Sequence, residues 1–234
     1  MRRLETFLSY GALAIFAHPD DAELACYGAL ARLRRAGLPV HLVTVSPGSR
    51  SSSEATDRVA EARTAAALID AHLIIHELTD GDVGRSPDLY SRISGHLAAL
   101  RPRVLFTHFP GASDHQDHVA VGTAATTLGL HAPSVEWLLQ CEPPVMSRQF
   151  CPTTFIDVSG TLDVKLAAVK CHTSETWKPF MQEESLIQRA RWWGRMARPH
   201  HDGEPLAYEA FVAVKLLIEN SRANLWGADE PPLA

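Results

Sequence analysis

One segment sets the architecture of the chain, Ala12-Leu13-Ala14-Ile15-Phe16-Ala17-His18-Pro19-Asp20-Asp21-Ala22-Glu23. An apolar run that suits a buried strand stops at a cluster of one imidazole and three carboxylates. The proline has no N–H for a strand ladder and holds His18 in an extended conformation. We therefore expect His18 at the carboxyl end of a buried strand, with Asp20 and Asp21 in the turn that follows. In an open parallel sheet, ligands bind at that edge.

Composition indicates an ordinary globular protein. The 234 residues are 46% hydrophobic and 21% charged, enough for one large domain or two small ones. A formal charge of −5 gives no support for nucleic-acid binding. The 4 cysteines are scattered without a Cys-x-x-Cys pair, which argues against a thiolate zinc site and against a disulfide framework.

Two further observations concern the cellular compartment. The start, Met1-Arg2-Arg3, is followed by Glu5, and the first apolar run ends in the polar cluster without a cleavage-type spacer. No apolar stretch approaches the ~20 residues that a membrane span needs. We therefore expect a cytoplasmic protein that binds neither membranes nor nucleic acid.

The first half of the chain alternates strand-like and helix-like segments. Strands separated by helices predict βαβ units, a mostly parallel sheet and a Rossmann-like α/β/α fold. No Gly-x-Gly-x-x-Gly follows the first strand, so the dinucleotide fingerprint is missing. The predicted strands are 11–17, 40–45, 72–78, 103–107 and 135–139, and the predicted helices are 21–36, 54–70, 87–100 and 117–130.

From about Cys141 the alternation changes, and prolines at 143, 144 and 152 mark a connection. We find no composition break strong enough for an independent second domain, and therefore predict one domain over 1–234. The predicted parts are a Rossmann-like core (1–140), a C-terminal part that completes the pocket (141–223) and a tail (224–234). The predicted elements after the core are a strand over 153–158, helices over 162–172 and 182–198, and a strand or helix over 207–217.

A second polar cluster, Asp114-His115-Gln116-Asp117-His118, follows the predicted strand 103–107. Because both clusters follow apolar strands, we expect them at the same edge of the sheet. Histidine and aspartate converging there can form a catalytic zinc site, which leaves one position to water. His18, Asp21 and His118 supply two imidazoles and one carboxylate, and nonheme iron accepts the same ligands.

The remaining polar residues of the two clusters suit the catalytic roles. Asp20, left over beside the metal site, can act as general base on a water whose pKa the metal lowers. His115, in its protonated form, can stabilise the oxyanion or protonate the leaving group. Asp117 can orient His115 or a metal ligand.

Together the two clusters resemble the LmbE-like or PIG-L family of zinc-dependent N-deacetylases. This resemblance implies a Rossmann-like fold, Zn²⁺ as cofactor and removal of a short acyl group from an N-acetylglucosaminyl-type amino sugar. It also implies His18, Asp21 and His118 as ligands, Asp20 as base and His115, held by Asp117, as the electrostatic or acid partner. Weaker similarities are Arg58, Glu61 and Arg63, the loop Leu78-Thr79-Asp80-Gly81, the segments Ile156-Asp157-Val158, Lys165 and His172-Thr173-Ser174, and the stretch Ala207-Tyr208-Glu209-Ala210-Phe211.

Two positions depart from the family pattern. Ser113 stands where some members carry an aromatic hydroxyl residue, so a tyrosine at the oxyanion is not available from that place. Glu175 stands where the family usually has glutamine, and we expect it to be a solvated surface residue. We expect Glu23 to support His18 or the start of the following helix.

Substrate contacts are expected from Arg50 and Asp80, which follow the second and third predicted strands at the same edge of the sheet, and from His172, which we expect to close over the pocket. Trp192 and Trp193 can stack on a sugar ring, although paired aromatics on a helix are more typical of a core or a subunit interface. The sequence leaves open whether the chain forms a homo-oligomer.

Three alternatives remain open. Two are hydrolases: an amidase acting on a thiol conjugate, and a deacylase acting on a lipidated or antibiotic amino sugar. The third is a non-catalytic sugar- or nucleotide-binding protein. Asp20 beside two predicted ligands argues against the third alternative, because a binding protein has no use for a base there.

Overall fold

A computed structural model describes residues 11–48, 55–111, 115–145 and 147–217. Its seven strands are β1 (Ala12–Phe16), β2 (Val40–Thr44), β3 (His72–Ile75), β4 (Val104–His108), β5 (Trp137–Cys141), β6 (Thr154–Asp157) and β7 (Tyr208–Leu216). The α-helices of the described residues are α1 (Asp21–Ala25), α2 (Tyr27–Arg35), α3 (Ala55–Ala67), α4 (Leu89–Leu100), α5 (Gln116–His131), α6 (Leu162–Lys170) and α7 (Glu183–Ala197). Short 3₁₀ helices span Val83–Arg85 and Pro179–Met181.

All seven strands belong to one sheet of order β3-β2-β1-β4-β5-β7-β6. The first five are parallel, and β7 runs antiparallel to both of its neighbours. The predicted α/β fold with a mostly parallel sheet is therefore confirmed. The direction of winding reverses between β1 and β4, and this switch point is where open α/β sheets bind ligands.

β1 is buried along its whole length, because both faces of the sheet are covered at this strand. Ala12, Ala14 and Phe16 face an apolar cluster that includes residues of α2, α3, α6 and α7. Leu13 and Ile15 face a second cluster with residues of α4 and α5. Within the part of the chain that the structure describes, no helix combines the length and apolar character needed to cross a membrane.

The predicted helix 21–36 is in fact two helices, α1 and α2, which are separated at Cys26. The break has a tertiary cause. The amides of Gly28 and Ala29 at the start of α2 donate hydrogen bonds to the carboxylate of Glu209, at 3.0 and 2.8 Å. A continuous helix would direct these amides to its own carbonyl groups.

Glu209 also decides the segment whose conformation the sequence left open. Residues 208–216 form β7, which pairs with β5 and β6. From there the carboxylate of Glu209 reaches Lys165 of α6, with Oε1 2.5 Å from Nζ. Both side chains are buried. Two segments that carried only weak family similarity therefore meet in one buried ion pair.

Candidate active site

The loops after β1, β3 and β4 meet at the switch point around a cavity of about 470 Å³. Most of the predicted site residues line this cavity: His18, Asp20, Asp21, Asp80, His115 and His118. Arg50 and Ser113 lie outside the described residues. The prediction that both polar clusters reach the same edge of the sheet is therefore confirmed.

The turn after β1 is tight and strained. Asp20 has φ +99°, a region that non-glycine residues rarely adopt. The His18 N–H donates to Asp21 Oδ2 at 2.7 Å, which fixes the second carboxylate under the turn. Asp20 occupies the N-cap position of α1, but its side chain makes no capping hydrogen bond to the described residues. Backbone strain of this kind is held by surrounding contacts and clusters at functional sites.

Arg58 of α3 holds this turn from the other side. Its guanidinium donates to the carbonyl of Pro19 at 2.7 Å and to that of Gly48 at 3.0 Å, and Nη2 lies 3.3 Å from Asp20 Oδ2. The side chain is 3% exposed. Arg58 thus ties the peptide that precedes Asp20 to Gly48 in the segment after β2, a role that its place in the sequence did not reveal.

Replacing Arg58 by lysine should lower kcat of the amide hydrolysis that the family resemblance implies by about 10²-fold, while KM changes little. The ammonium of lysine has one nitrogen and cannot reproduce the two separate Nη groups with which Arg58 reaches Gly48 and Pro19, so Asp20 would lose its fixed position. Small misplacements of a reacting group have costs of this size. Steady-state kinetics with metal content as a second readout will measure the effect. Arg63→Lys, at an exposed position of the same helix, is the matched control. Equal kcat in the two variants would contradict the positioning role.

The electrostatics around Asp20 suit a general base. Burial and the charge of Asp21 raise its pKa to about 6, although Arg58 and Lys178 act in the opposite direction. Lys178 Nζ lies 3.7 Å from Asp20 Oδ2. Asp20 is therefore ionised near neutral pH, yet basic enough to accept a proton from water.

The expectation that Glu175 is a solvated surface residue is wrong. The side chain is 1% exposed, lies 3.6 Å from Arg58 and pairs with Lys178. Two cations in the wall of the cavity, Arg58 and Lys178, require a buried counter-charge, and Glu175 supplies it. Its charge is therefore neutralised within the protein and not available to attract amines.

The predicted metal ligands are connected through Asp21. Asp21 Oδ1 lies 3.2 Å from His118 Nε2, and Asp21 Oδ2 lies 3.6 Å from His18 Nδ1. Among the described residues, groups of ligand atoms that all lie within 4.8 Å of one another form three overlapping sets. These sets are His18, His115 and His118; His18, Asp80, His115 and Asp117; and Asp21, His108 and His118.

His108 was missed in the sequence because the strand was predicted to end at Thr107. The structure extends β4 by one residue, which places the buried His108 ring against His118, with ring centroids 4.1 Å apart. Its Nε2 accepts the Ala17 N–H at 3.0 Å and lies 3.3 Å from Asp21 Oδ2. Burial and His118 lower the pKa of His108 to about 4, so the ring is neutral.

These contacts fit a cation at the site. Nε2 of the neutral His108 accepts a hydrogen bond from the Ala17 amide, so it carries no proton that it could donate to Asp21. Two hydrogen-bond acceptors, His108 Nε2 and Asp21 Oδ2, therefore lie 3.3 Å apart. Burial lowers the pKa of His18, but hydrogen bonds to Asp117 and Asp80 outweigh it and raise the pKa to about 10. The buried carboxylates thus favour positive charge, and imidazole with carboxylate is a donor set that zinc and iron accept.

The carboxylate of Asp117 contacts the predicted metal ligand His18, one of the two expected partners, and not His115, the partner that the family resemblance implied. This fully buried carboxylate accepts hydrogen bonds from the amides of Gly81 and Val83 and lies 3.2 Å from His18 Nε2. It is the backbone N–H of Asp117 that contacts His115, donating to Nδ1 at 3.2 Å. The reason is that Asp117 sits in the first turn of α5, facing the β3 loop. Asp80 from that loop lies 3.0 Å from the same His18 nitrogen.

The prediction of a protonated His115 also needs correction. Burial and the nearby His18 and His118 lower the pKa of His115. Because Nδ1 accepts a hydrogen bond, the neutral ring carries its proton on Nε2. Since His115 also lines the cavity, it can offer the Nε2–H of a neutral ring as a hydrogen-bond donor there.

His172 does not line the cavity, contrary to its predicted role in substrate contact. The ring is 0% exposed, and Nε2 lies 3.5 Å from Oε1 of Glu23. Glu23 thus supports His172 and not His18, because α1 directs its side chain toward the turn after α6. Glu61 of α3 fixes that turn by accepting hydrogen bonds from Thr173 and Ser174.

Known proteins that are similar in sequence to this chain include deacetylases. Residues 13–128 match the PIG-L family, described as GlcNAc-PI de-N-acetylase. The chain is 34% identical over 174 residues to YaiS of Escherichia coli K12, named an uncharacterized deacetylase, which covers 70% of this chain and 91% of YaiS. It is 25% identical over 203 residues to the diacetylchitobiose deacetylase of Thermococcus kodakarensis, covering 74% of this chain and 76% of that enzyme.

Solved structures of low sequence identity share the fold. GalB, the 4-carboxy-2-hydroxymuconate hydratase of Pseudomonas putida KT2440, superposes with a TM-score of 0.79 at 20% identity over 92% of this chain and 100% of GalB. The N,N'-diacetylchitobiose deacetylase of Pyrococcus horikoshii superposes with a TM-score of 0.72 at 19% identity, covering 87% of this chain and 83% of that enzyme. The family match and the relatedness to YaiS show that the chain belongs to the PIG-L (LmbE-like) family of deacetylases.

Proposed function

We propose that the protein is a metal-dependent N-deacetylase that hydrolyses the amide of an N-acetylated amino sugar, releasing acetate and the free amine. The observation that carries this proposal is the position of Asp20. It is a buried carboxylate with a pKa of about 6, next to Asp21, which links His18 and His118 at the switch point of the sheet.

His18, Asp21 and His118 are the residues that we propose to hold the metal, with His108 next to Asp21. A divalent cation there would supply Lewis acidity, which polarises the amide carbonyl and makes water more acidic. Zn²⁺ is the proposed ion, and Fe²⁺ suits the same donors. Asp117 and Asp80 orient His18 through its other nitrogen, an arrangement that fixes both the tautomer and the ring plane of a ligand.

The side chains of the cavity account for the proton transfers. Asp20 accepts a proton from water as the water oxygen forms a bond to the amide carbon. The Nε2–H of His115 donates a hydrogen bond to the carbonyl oxygen as negative charge develops there. When the C–N bond breaks, protonated Asp20 returns its proton to the amine. Lys178 and Arg58 hold Asp20 in place and keep it ionised before the reaction.

The relatives favour an amino sugar over other amides. The Thermococcus enzyme is named for diacetylchitobiose, a disaccharide of N-acetylated amino sugars. The matched family is described by a de-N-acetylase of an N-acetylglucosaminyl lipid. Their shared chemical group is an acetamido group on a sugar ring, so we propose that group as the one this site cleaves.

Removal of the metal is the direct test of this proposal. Dialysis of the purified protein against a chelator should lower acetate release from N-acetylglucosaminides at least about 10²-fold, since the residual site has lost its Lewis acid. Adding back Zn²⁺ or Fe²⁺ should restore it. Metal analysis by mass spectrometry should find about one bound ion per chain before chelation.

Two variants distinguish a metal ion held at the proposed site from one held by exposed histidines elsewhere on the protein. His18→Ala should lose the bound ion, whereas His200→Ala, at an exposed position, should keep it. A fully metallated His18→Ala protein would contradict the proposed ligand set. Acetate release that is unaffected by chelation would contradict metal dependence. Release of a fatty acid or a thiol derivative in place of acetate would favour the other hydrolase activities.

A further inference from the structure

We propose that a second cavity beside the active site, called here the outer cavity, binds the neighbouring sugar ring of an oligosaccharide substrate. The inference rests on the proposed function and specifies its substrate as at least a disaccharide. The outer cavity has a volume of about 840 Å³ and lies between the loop after β5 and one face of α7.

The outer cavity adjoins the active-site cavity. Phe180 lines both, and consecutive residues of the β5 loop divide between them, with Pro143 on the outer side and Pro144 on the inner side. A molecule whose acetamido group reaches Asp20 therefore has a way to extend toward α7. The active-site cavity has a volume of about 470 Å³, and the outer cavity extends the accessible space beyond it.

Aromatic side chains are exposed along the path from the active-site cavity to the outer cavity. Trp177, at the rim of the inner cavity, is 72% exposed, and Trp192, in the outer cavity, is 55% exposed. Among the described residues Trp192 is therefore not part of the core, which was one of the two expectations for this pair of tryptophans. Indole faces carry partial negative charge and pack well against the C–H groups of a sugar ring.

The wall of the outer cavity is already organised without a ligand. Trp193 donates from Nε1 to Glu142 Oε2 at 2.9 Å, and Arg189 Nε lies 3.3 Å from Glu142 Oε1. Arg189 also donates to the carbonyl of Pro144 at 2.9 Å, which fixes the loop between the two cavities. A preformed wall reduces the entropy lost on binding.

The mixed character of the lining selects a sugar over an alkyl chain. Next to Trp192 lie polar groups that can bond hydroxyls, among them Ser185, Gln188 and Arg195. Ser185 Oγ donates to the Pro179 carbonyl and Gln188 Nε2 donates to Glu184, but an alkyl chain would offer no hydrogen bond to the further donors and acceptors of these groups. A sugar ring has an apolar face for the indole and hydroxyls at its edge for the polar groups.

The test compares substrates of different length. For wild type and Trp192→Ala, kcat/KM is measured by acetate release from N-acetylglucosamine and from N,N'-diacetylchitobiose. We expect Trp192→Ala to lower kcat/KM for the disaccharide about tenfold and to leave the monosaccharide unchanged. Tyr90→Ala is the matched control, since Tyr90 is 48% exposed on α4, which packs on the opposite face of the sheet. Tyr90→Ala should leave kcat/KM unchanged for both substrates.

A binding measurement keeps this inference separate from the proposed function. Calorimetry with chitobiose, which has no acetyl group to lose, should show binding to wild type and about tenfold weaker binding to Trp192→Ala. Such binding, together with no acetate release from N-acetylglucosamine or N,N'-diacetylchitobiose, would support the outer cavity while contradicting the proposed function. If Trp192→Ala lowered kcat/KM equally for N-acetylglucosamine and N,N'-diacetylchitobiose, or for neither of them, the inference would be overturned. A loss confined to an alkyl N-acetylglucosaminide would also overturn it and would indicate an apolar occupant.

Discussion

Replacing Asp20 by asparagine is expected to reduce acetate release by about 10²–10⁴-fold, the range that a positioned general base contributes. The amide cannot accept the proton of water, whereas its size and its place in the strained turn stay close to those of the carboxylate. Asp21 and the imidazoles are untouched, so the metal content should stay near that of the wild type. Kinetics and metal analysis on the same preparation will measure both quantities.

The control for this substitution is Asp163→Asn, which makes the same chemical change at an exposed position of α6. It should leave kcat unchanged. Full activity of Asp20→Asn with its metal in place would mean that another group accepts the proton. Loss of the metal in Asp20→Asn would instead indicate that Asp20 is itself a ligand, and would contradict the assignment of Asp21 to that role.

The second large effect concerns stability. Glu209→Ala should lower the free energy of unfolding by about 3–5 kcal/mol, because it leaves the buried Lys165 ammonium without its carboxylate. It also removes the acceptor for the amides of Gly28 and Ala29 at the start of α2. For a chain of this size the expected fall in Tm is roughly 6–20 °C. Thermal and denaturant unfolding followed by circular dichroism will test this expectation.

An exposed ion pair provides the comparison. Lys170 and Glu183 lie 2.7 Å apart with side chains 61% and 50% exposed. Because surface pairs contribute about 0–1 kcal/mol, Glu183→Ala should change stability little. Similar losses in Glu183→Ala and Glu209→Ala would show that burial of the Lys165 pair adds nothing. Since Glu209 lies away from the cavity, folded Glu209→Ala at low temperature should keep its metal.

Local patterns were sufficient for the sheet and for the location of the site. An apolar run ending in His18, and a second run ending shortly before His115, placed both clusters at one sheet edge, because all parallel strands of the switch region end there. The residue types of those clusters indicated a metal and a base. These features depend on one segment at a time, so they can be derived from the sequence.

Contacts between distant segments could be found only in the tertiary structure. Asp117 faces His18 because α5 begins beside the β3 loop, and nothing in the spacing of the second cluster distinguishes His18 from His115 as its partner. Glu175 is buried because Arg58 comes from α3 to meet it. His108 joins the site through one extra residue of β4, and strand ends are set by pairing with neighbours more than by local sequence.

The fold class, the edge of the sheet where the polar clusters lie, and Asp20 as a candidate base could thus be derived from the sequence alone. Which charges neutralise one another, as in Arg58 with Asp20 and Lys165 with Glu209, became visible only in the folded chain. Strand and turn preferences act over a few neighbouring residues. The pairing of buried charges depends on which segments pack together, and it is therefore set by the fold as a whole.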